Sequence, residues 1–388
     1  MAVRKLEFED LQQPWKLAIT EFGDFNLLVG LSGVGKTRTL RVLQSIGKAA
    51  SGDEDHGLRH CRWNIEVETS QGVFSWKAET VPDSNIDSKI DVDEEFFRLS
   101  PSPNIRFTFE EIRRENGDII ASRDEDRLFL NEKESPKLRP ADSIVSLFDE
   151  EPISTIRNAL SAIHFSRTRT EGQLRPFDLP RLEKMIDEIG DIDALKKNRS
   201  LDLMSKAFVL EKKFPDHFRA VEEQLFEIFD SVEELRIGPR RDFSSIILTG
   251  PIDFLVPAFK ERGVKGWIYG GNMSAGMART LMHILEIYLE PPGSVLLIDE
   301  YENGMGVNCL SQVTELIIER SKELQLIFTS HHPFVIDTIP KNLWMVMRRN
   351  GYEVSVLRVQ DIERLNTESN QDAFIQLVNA PEYMHGLQ

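Results

Sequence analysis

The chain has 388 residues, 40% hydrophobic and 29% charged, with a formal net charge of −17. That balance fits a soluble globular protein with a large core and argues against a surface that wraps nucleic acid wholesale. No apolar run reaches the roughly 18 residues of a membrane span, MAVRKLEFED lacks a signal-peptide core, and Cys61 and Cys309 build no disulfide framework, so a cytoplasmic chain is expected.

In chain order, FNLLVG at residues 25–30 reads as a short buried strand. The segment GLSGVGKT follows, with Gly30, Gly35, Lys36 and Thr37 at the spacing G-x-x-x-x-G-K-T. KTRTLRVLQSIGKAA then reads as a helix with Leu40, Leu43 and Ile46 on one side. Strand, glycine loop and helix are the context that a phosphate-binding loop requires. Its backbone N–H groups and the positive end of the helix cradle phosphate oxygens. Gly33 and Gly35 permit backbone geometries that bulkier residues resist. Gly30, Ser32, Gly33, Val34, Gly35, Lys36, Thr37 and Arg38 are therefore candidate nucleotide contacts, with Lys36 reaching the β- and γ-phosphates and Thr37 ligating Mg²⁺.

Two antiparallel segments come next. RWNIEVETSQGVFSWKAETV predicts a hairpin turning at Gln71–Gly72, and NIRFTFEEIRRENGDIIASRDEDRLFLNEKE a second one turning at Asn116–Gly117. The acidic DSNIDSKIDVDEE between them reads as a loop. His56, His60 and Cys61 in DEDHGLRHC lack a second ligand group at suitable spacing, so a surface loop is expected there, not a metal site. Leu182, Met185, Ile186 and Ile189 mark an amphipathic helix; Phe218, Val221, Leu225, Phe229 and Val232 mark another after Pro215. SRTRTEGQLR (166–175) and RIGPRR (236–241) are the candidate basic patches.

Past Pro239 the chain returns to strands, SSIILTG and GWIYGG, then to the helix SAGMARTLMHILEIYLE, whose first turn presents Ser274, Ala275 and Gly276. A Ser and a Gly there form another phosphate-binding helix N-terminus. SVLLIDE is a buried strand that carries Asp299 and Glu300 to its C-terminal end, where ligands bind in such sheets. Asp299 is placed to hold Mg²⁺ and Glu300 to polarise an attacking water; Tyr301 is a candidate wall of the site and Glu302 a second acid. The helix CLSQVTELIIERSKE and the strand LQLIFTS follow. His331, at that strand's end, is the candidate sensor of a γ-phosphate. Strands alternating with helices predict a parallel, helix-covered sheet whose core is discontinuous in sequence.

In order and spacing these elements resemble the ABC-type ATPases: the loop resembles Walker A, LLIDE resembles Walker B with its catalytic Glu300, MSAGM the signature segment, and His331 the switch histidine. Lys36 and Asp299 lie 263 positions apart, a spacing similar to that of the OLD-like and RecF-like branch. DEYENG resembles that branch's D-E-P-E-N-G, with Tyr301 in place of Pro, and SAGMAR its S-S-G-M-x-R. Gly306 stands where an acid or His often closes the segment after Walker B, and Gln71 is the candidate for the glutamine loop.

The resemblance implies an α/β fold: an ABC-type P-loop ATPase head with an antiparallel β subdomain and an inserted helical arm. The expected divisions are 1–165 (N-terminal part of the head), 166–239 (helical insertion) and 240–388 (C-terminal part). It implies ATP and Mg²⁺ as ligands, and a homodimer or higher homo-oligomer in which Ser274, Ala275 and Gly276 of one copy close on ATP held by another. It further implies a separate nuclease or toxin effector, as in bacterial anti-phage systems such as PARIS, with DNA or a phage protein as trigger and no membrane. The alternatives are a RecF-like DNA-repair ATPase that clamps DNA and an assembly scaffold that hardly turns over. The 57 residues after His331 are too few for a Toprim nuclease domain, so no nuclease activity is expected of this chain, and the absence of N-K-x-D argues against a GTPase.

Overall fold

The computed structural model describes residues 1–82, 105–166, 179–240, 254–365, 367 and 369–379. The acidic stretch 83–95, the strand expected in SSIILTG, the arginines of 167–175 and Arg241 lie outside them. Contacts divide the chain into two compact units, one of Met1–Phe165, Gly293–Tyr301 and Gln325–Gln388, the other of Ser166–Pro292 and Glu302–Leu324.

Among the described residues, the first unit is built on a 14-stranded sheet. Five strands run parallel in the order Ile163–Phe165, Val295–Ile298, Gln325–Thr329, Phe25–Val29 and Trp344–Asn350. The middle three are buried at every residue, which is why they read as mostly apolar runs rather than alternating ones: a parallel sheet is covered on both faces. Phe25–Val29 comes from one end of the chain and its neighbours from the other, so the core is discontinuous as expected. Helix Lys36–Ala50 lays Leu40, Leu43 and Ile46 into a core shared with Ile156 and Leu160.

Trp344–Asn350 turns back into Glu353–Arg358, which pairs parallel with Trp15–Glu21. From there the sheet is antiparallel, through Ala2–Asp10, Cys61–Thr69, Gly72–Pro82, Ile105–Arg114, Ile119–Arg123, Leu128–Leu130 and Lys133–Ser135. Both expected hairpins are present. The first turns one residue earlier than expected, at Ser70–Gln71, because Thr69 pairs with Gly72 across the two-residue loop. Trp63 and Trp76 meet edge to face, 5.3 Å between centroids, in the core of this part.

His56 and Cys61 are buried against that core, where a surface loop was expected. Burial holds the His56 imidazole down at about 4, and its Nδ1 accepts the Leu58 N–H at 3.2 Å. Burial pushes the Cys61 thiol up to about 12. Among the described residues no group of three His, Cys, Asp or Glu could hold a metal ion. A histidine depressed in the folded state stays neutral while the unfolded chain takes up a proton below about 6.5. Its contribution to stability is therefore complete above that pH and is lost as pH falls towards 4. Over that window the chain is expected to lose about 3 kcal/mol through His56 alone. Urea unfolding at pH 7 and pH 4.5 checks this: over that narrower range His56→Gln should lose less than the parent by about 2 kcal/mol, and an equal loss in both would contradict the assignment.

Among the described residues of the second unit, helices Leu179–Glu188, Ile192–Lys197, Leu203–Lys213 and Pro215–Ile228 precede a three-stranded antiparallel sheet of Val232–Arg240, Phe254–Glu261 and Ile268–Tyr269. Helices Ala275–Leu289 and Val307–Arg320 follow. Leu182, Ile189, Phe218, Val221 and Leu225 are buried in its core with Leu281 and Leu285. The helix expected to reach Val232 ends at Ile228: Phe229 closes its last turn onto Leu225, and Val232 opens a strand. Arg236 lies on that strand, paired with Glu234 at 3.7 Å and stacked 4.5 Å over Trp267, so its charge is met locally.

Candidate nucleotide site

Three adjacent parallel strands of the first unit deliver the candidate residues to one sheet edge. The glycine loop follows Phe25–Val29, Asp299 and Glu300 follow Val295–Ile298, and His331 lies just beyond Gln325–Thr329. Because the three run the same way, their C-terminal ends meet at that edge, the usual ligand-binding edge of a parallel sheet.

The loop needs its glycines. Gly30 has φ +155°, and a Cβ there would sit 2.7 Å from the Met347 carbonyl oxygen. Gly35 has φ +116° and caps helix Lys36–Ala50; a Cβ would come 3.1 Å from Trp15 Nε1. Ser32 and Gly33 are exposed, whereas the Val34 side chain is buried, leaving its backbone for the loop. Lys36 is 5% exposed, and its Nζ donates to the carbonyls of Gly30 at 2.7 Å and Leu31 at 3.0 Å. The ammonium thus arches over its own loop. Arg38 stacks 4.6 Å over Trp15 and pairs with Asp10.

The acids are tied to the loop. Asp299 is buried, and its Oδ1 accepts from Thr37 Oγ1 at 3.0 Å and from Thr329 Oγ1 at 2.8 Å. Glu300 has φ +48°, the left-handed region, which is costly for a residue with a Cβ. The Thr329 hydroxyl accepts the Glu300 N–H at 2.8 Å, and the Thr329 carbonyl accepts the Tyr301 N–H at 3.0 Å. A hydroxyl and a carboxylate that touch at the mouth of a phosphate loop are hard oxygen donors, the kind that Mg²⁺ takes with substrate phosphates. Thr37 and Asp299 therefore fit the ion.

Tyr301 corrects an expectation. It is fully buried, its ring 5.9 Å from Phe328, so it belongs to the core beneath the acids and not to a wall of the site. His331 is exposed at the strand end. His332 instead caps helix Pro333–Thr338, its Nδ1 accepting the Phe334 N–H at 3.2 Å. Gln71 sits in the hairpin turn and bonds Glu151.

In the second unit, Ser274 is the N-cap of helix Ala275–Leu289, its Oγ accepting the Met277 N–H at 3.2 Å. Ser274 and Ala275 are exposed. Gly276 packs closely on the segment after the acids: a Cβ would come 3.3 Å from the Gly306 nitrogen. Thr329, Asp10 and Trp15 were not legible as site residues in the sequence. Each acts through a partner distant in the chain, and no local motif marks them.

No curated protein matched the chain. Among solved structures, the chain is similar to the SmcHead bound to the C-winged helix domain of ScpA, at 14% identity, 92% of this chain, 98% of that one and a TM-score of 0.50. It is also similar to the SMC head domain from Thermotoga maritima, at 10% identity, 92% and 99% coverage and a TM-score of 0.42. The Smc head domain bound to the C-terminal domain of ScpA derived from Pyrococcus furiosus matches at 13% identity, 94% and 98% coverage and a TM-score of 0.44. The SmcHead match bears out the α/β fold expected above, a mixed α/β head with a large sheet. A family model described as "AAA domain, putative AbiEii toxin, Type IV TA system" matches residues 25–337, a span that holds the glycine loop, Ser274–Gly276 and both acids, and the chain belongs to this family of AAA ATPases.

Proposed function

We propose that the chain binds ATP with Mg²⁺ at the sheet edge, hydrolyses it, and uses the cycle to control a separate effector. The observation that carries the reading is the 3.0 Å contact between Thr37 Oγ1 and Asp299 Oδ1, which ties the phosphate loop to the acid pair. Thr37 and Asp299 would hold Mg²⁺, which neutralises phosphate charge when bound. Lys36 leaves its loop carbonyls for the β- and γ-phosphate oxygens, and the loop N–H groups take the remainder. Glu300 orients the attacking water and accepts its proton. His331, exposed beside it, contacts the γ-phosphate.

Ser274, Ala275 and Gly276 of a second copy close on that phosphate, so ATP binding drives assembly into a homodimer or a larger homo-oligomer. The exposed Ser274 N-cap supports this role, since a helix N-terminus favours anions. The product of the cycle is a change of assembly, which a nuclease or toxin subunit reads. The OLD-like motifs and the toxin named in the family description support a place in anti-phage defence, as in PARIS-like systems, with DNA or a phage protein as trigger.

The test separates binding from closure. Lys36→Ala should weaken ATP binding to the monomer by about 10- to 100-fold, the scale of a lost hydrogen bond to a charged group. Ser274→Arg should leave monomer binding intact and abolish ATP-dependent assembly. Titration calorimetry and light scattering read the two. Equal loss of binding in both variants argues against closure in trans, and strong DNA stimulation without a protein partner favours the DNA-clamping alternative.

A further inference from the structure

We infer that Thr329 is a positioning residue that sets both acids at once; the inference rests on the roles proposed above for Asp299 and Glu300. Thr329 is the last residue of Gln325–Thr329 and fully buried. Its strand pairs in parallel with Val295–Ile298, with Phe328 opposite Ile298, which brings Thr329 level with Asp299. A hydroxyl has one proton to give and lone pairs to accept. Here the lone pair takes the Glu300 N–H at 2.8 Å, and the proton goes to Asp299 Oδ1, also at 2.8 Å. The direction of the chain is therefore set: Glu300 N–H to Thr329, Thr329 O–H to Asp299, with Thr37 O–H arriving on the same oxygen at 3.0 Å.

Two consequences follow from one side chain. Asp299 is turned so that its Oδ1 faces two hydroxyl donors, which fixes the carboxylate plane beside the phosphate loop. Glu300 is kept at φ +48°, a conformation that a residue with a Cβ holds only when its surroundings enforce it. Two bonds from Thr329 help to enforce it, the hydroxyl on the Glu300 N–H and the carbonyl on the Tyr301 N–H at 3.0 Å. Threonine suits this position because its branched Cβ has few rotamers, so the hydroxyl direction is stiff. Being fully buried, Thr329 acts through the acids without touching the nucleotide.

The experiment compares Thr329→Val, which keeps the shape and removes the hydroxyl, with Thr329→Ser, which keeps the hydroxyl. Amide hydrogen exchange at Glu300 and Tyr301 is read without nucleotide, together with ATP turnover and metal-free ATP affinity. In Thr329→Val the Glu300 amide should exchange about 10-fold faster or more, as expected when a local constraint opens. Its kcat should fall by about 10-fold or more while metal-free affinity stays within about 3-fold, the pattern of a lost transition-state interaction. Thr329→Ser should track the parent in all three. Unchanged exchange at Glu300 in Thr329→Val, or a serine variant as impaired as the valine one, overturns the inference. If the parent hydrolyses no ATP while Thr329→Val still exchanges faster at Glu300, the clamp stands and the ATPase roles fall. Should Thr329→Val not fold, Thr329→Ala carries the same comparison.

Discussion

Glu300→Gln is expected to keep ATP bound while steady-state turnover falls by about 10²-fold or more, the scale of losing a general base. The change is isosteric. The left-handed backbone, the N–H to Thr329 and the neighbouring Asp299 all remain, so the nucleotide still meets the same loop. On the role proposed for Glu300, only the ability to take a proton from water is lost. The trapped ATP should then hold the closed assembly, visible as a shift to larger species on a sizing column. Phosphate release measured on the same sample checks the rate, and turnover equal to the parent's places the base on another residue.

The second large effect concerns stability. Glu110 is fully buried in the antiparallel part of the sheet, directly opposite Arg123. Its carboxylate forms an ion pair with Arg123, 2.7 Å from Nε, and accepts hydrogen bonds from Trp76 Nε1 at 3.1 Å and the Ile144 N–H at 3.0 Å. Burial pushes the Glu110 carboxyl up to about 7, against the pull of Arg123. At pH 8 the pair is charged on both sides, and Arg123 itself is only 6% exposed. Glu110→Ala strands that cation and is expected to cost about 3–5 kcal/mol, the usual penalty for breaking a buried pair from one side. The double variant Glu110→Leu/Arg123→Met removes both charges and should recover most of the loss. Denaturant unfolding at pH 8 checks both, and a double variant no better than the single one would mean that the buried charge is not the cause.

The sequence and the structure agree where the signal is local. FNLLV followed by the glycine spacing needs only neighbours to be read, and so does the pair of acids after VLLI. Agreement fails where a partner far along the chain decides. Ala2–Asp10 is a strand, yet a register shift between Val3 and Lys5 puts its buried residues, Val3, Leu6 and Phe8, out of simple alternation. Phe229 and Val232 continue the helical spacing of Phe218, Val221 and Leu225, but Asp230 and Ser231 turn the chain and hand Val232 to a sheet. Thr329 reads as one more β-branched strand residue. Its role depends on Asp299 and Glu300 lying beside it just past the end of another strand, which no pattern within IFTS can express.

The interleaved sheet also sets a timetable for synthesis. Phe25–Val29, the strand that carries the phosphate loop, is flanked by Gln325–Thr329 and Trp344–Asn350, with Val29 in register with Val346. At about 5–20 residues per second, a ribosome reaches those partners roughly a quarter of a minute to a minute after it has made the loop. For that interval an apolar strand waits with both edges open, the condition under which nascent chains stick to one another. The antiparallel hairpins at 61–82 and 105–123 can close early, since their partners are adjacent in sequence. The loop therefore exists long before it has a site around it, and a product cut short by premature termination carries the glycines without the aspartate that faces them.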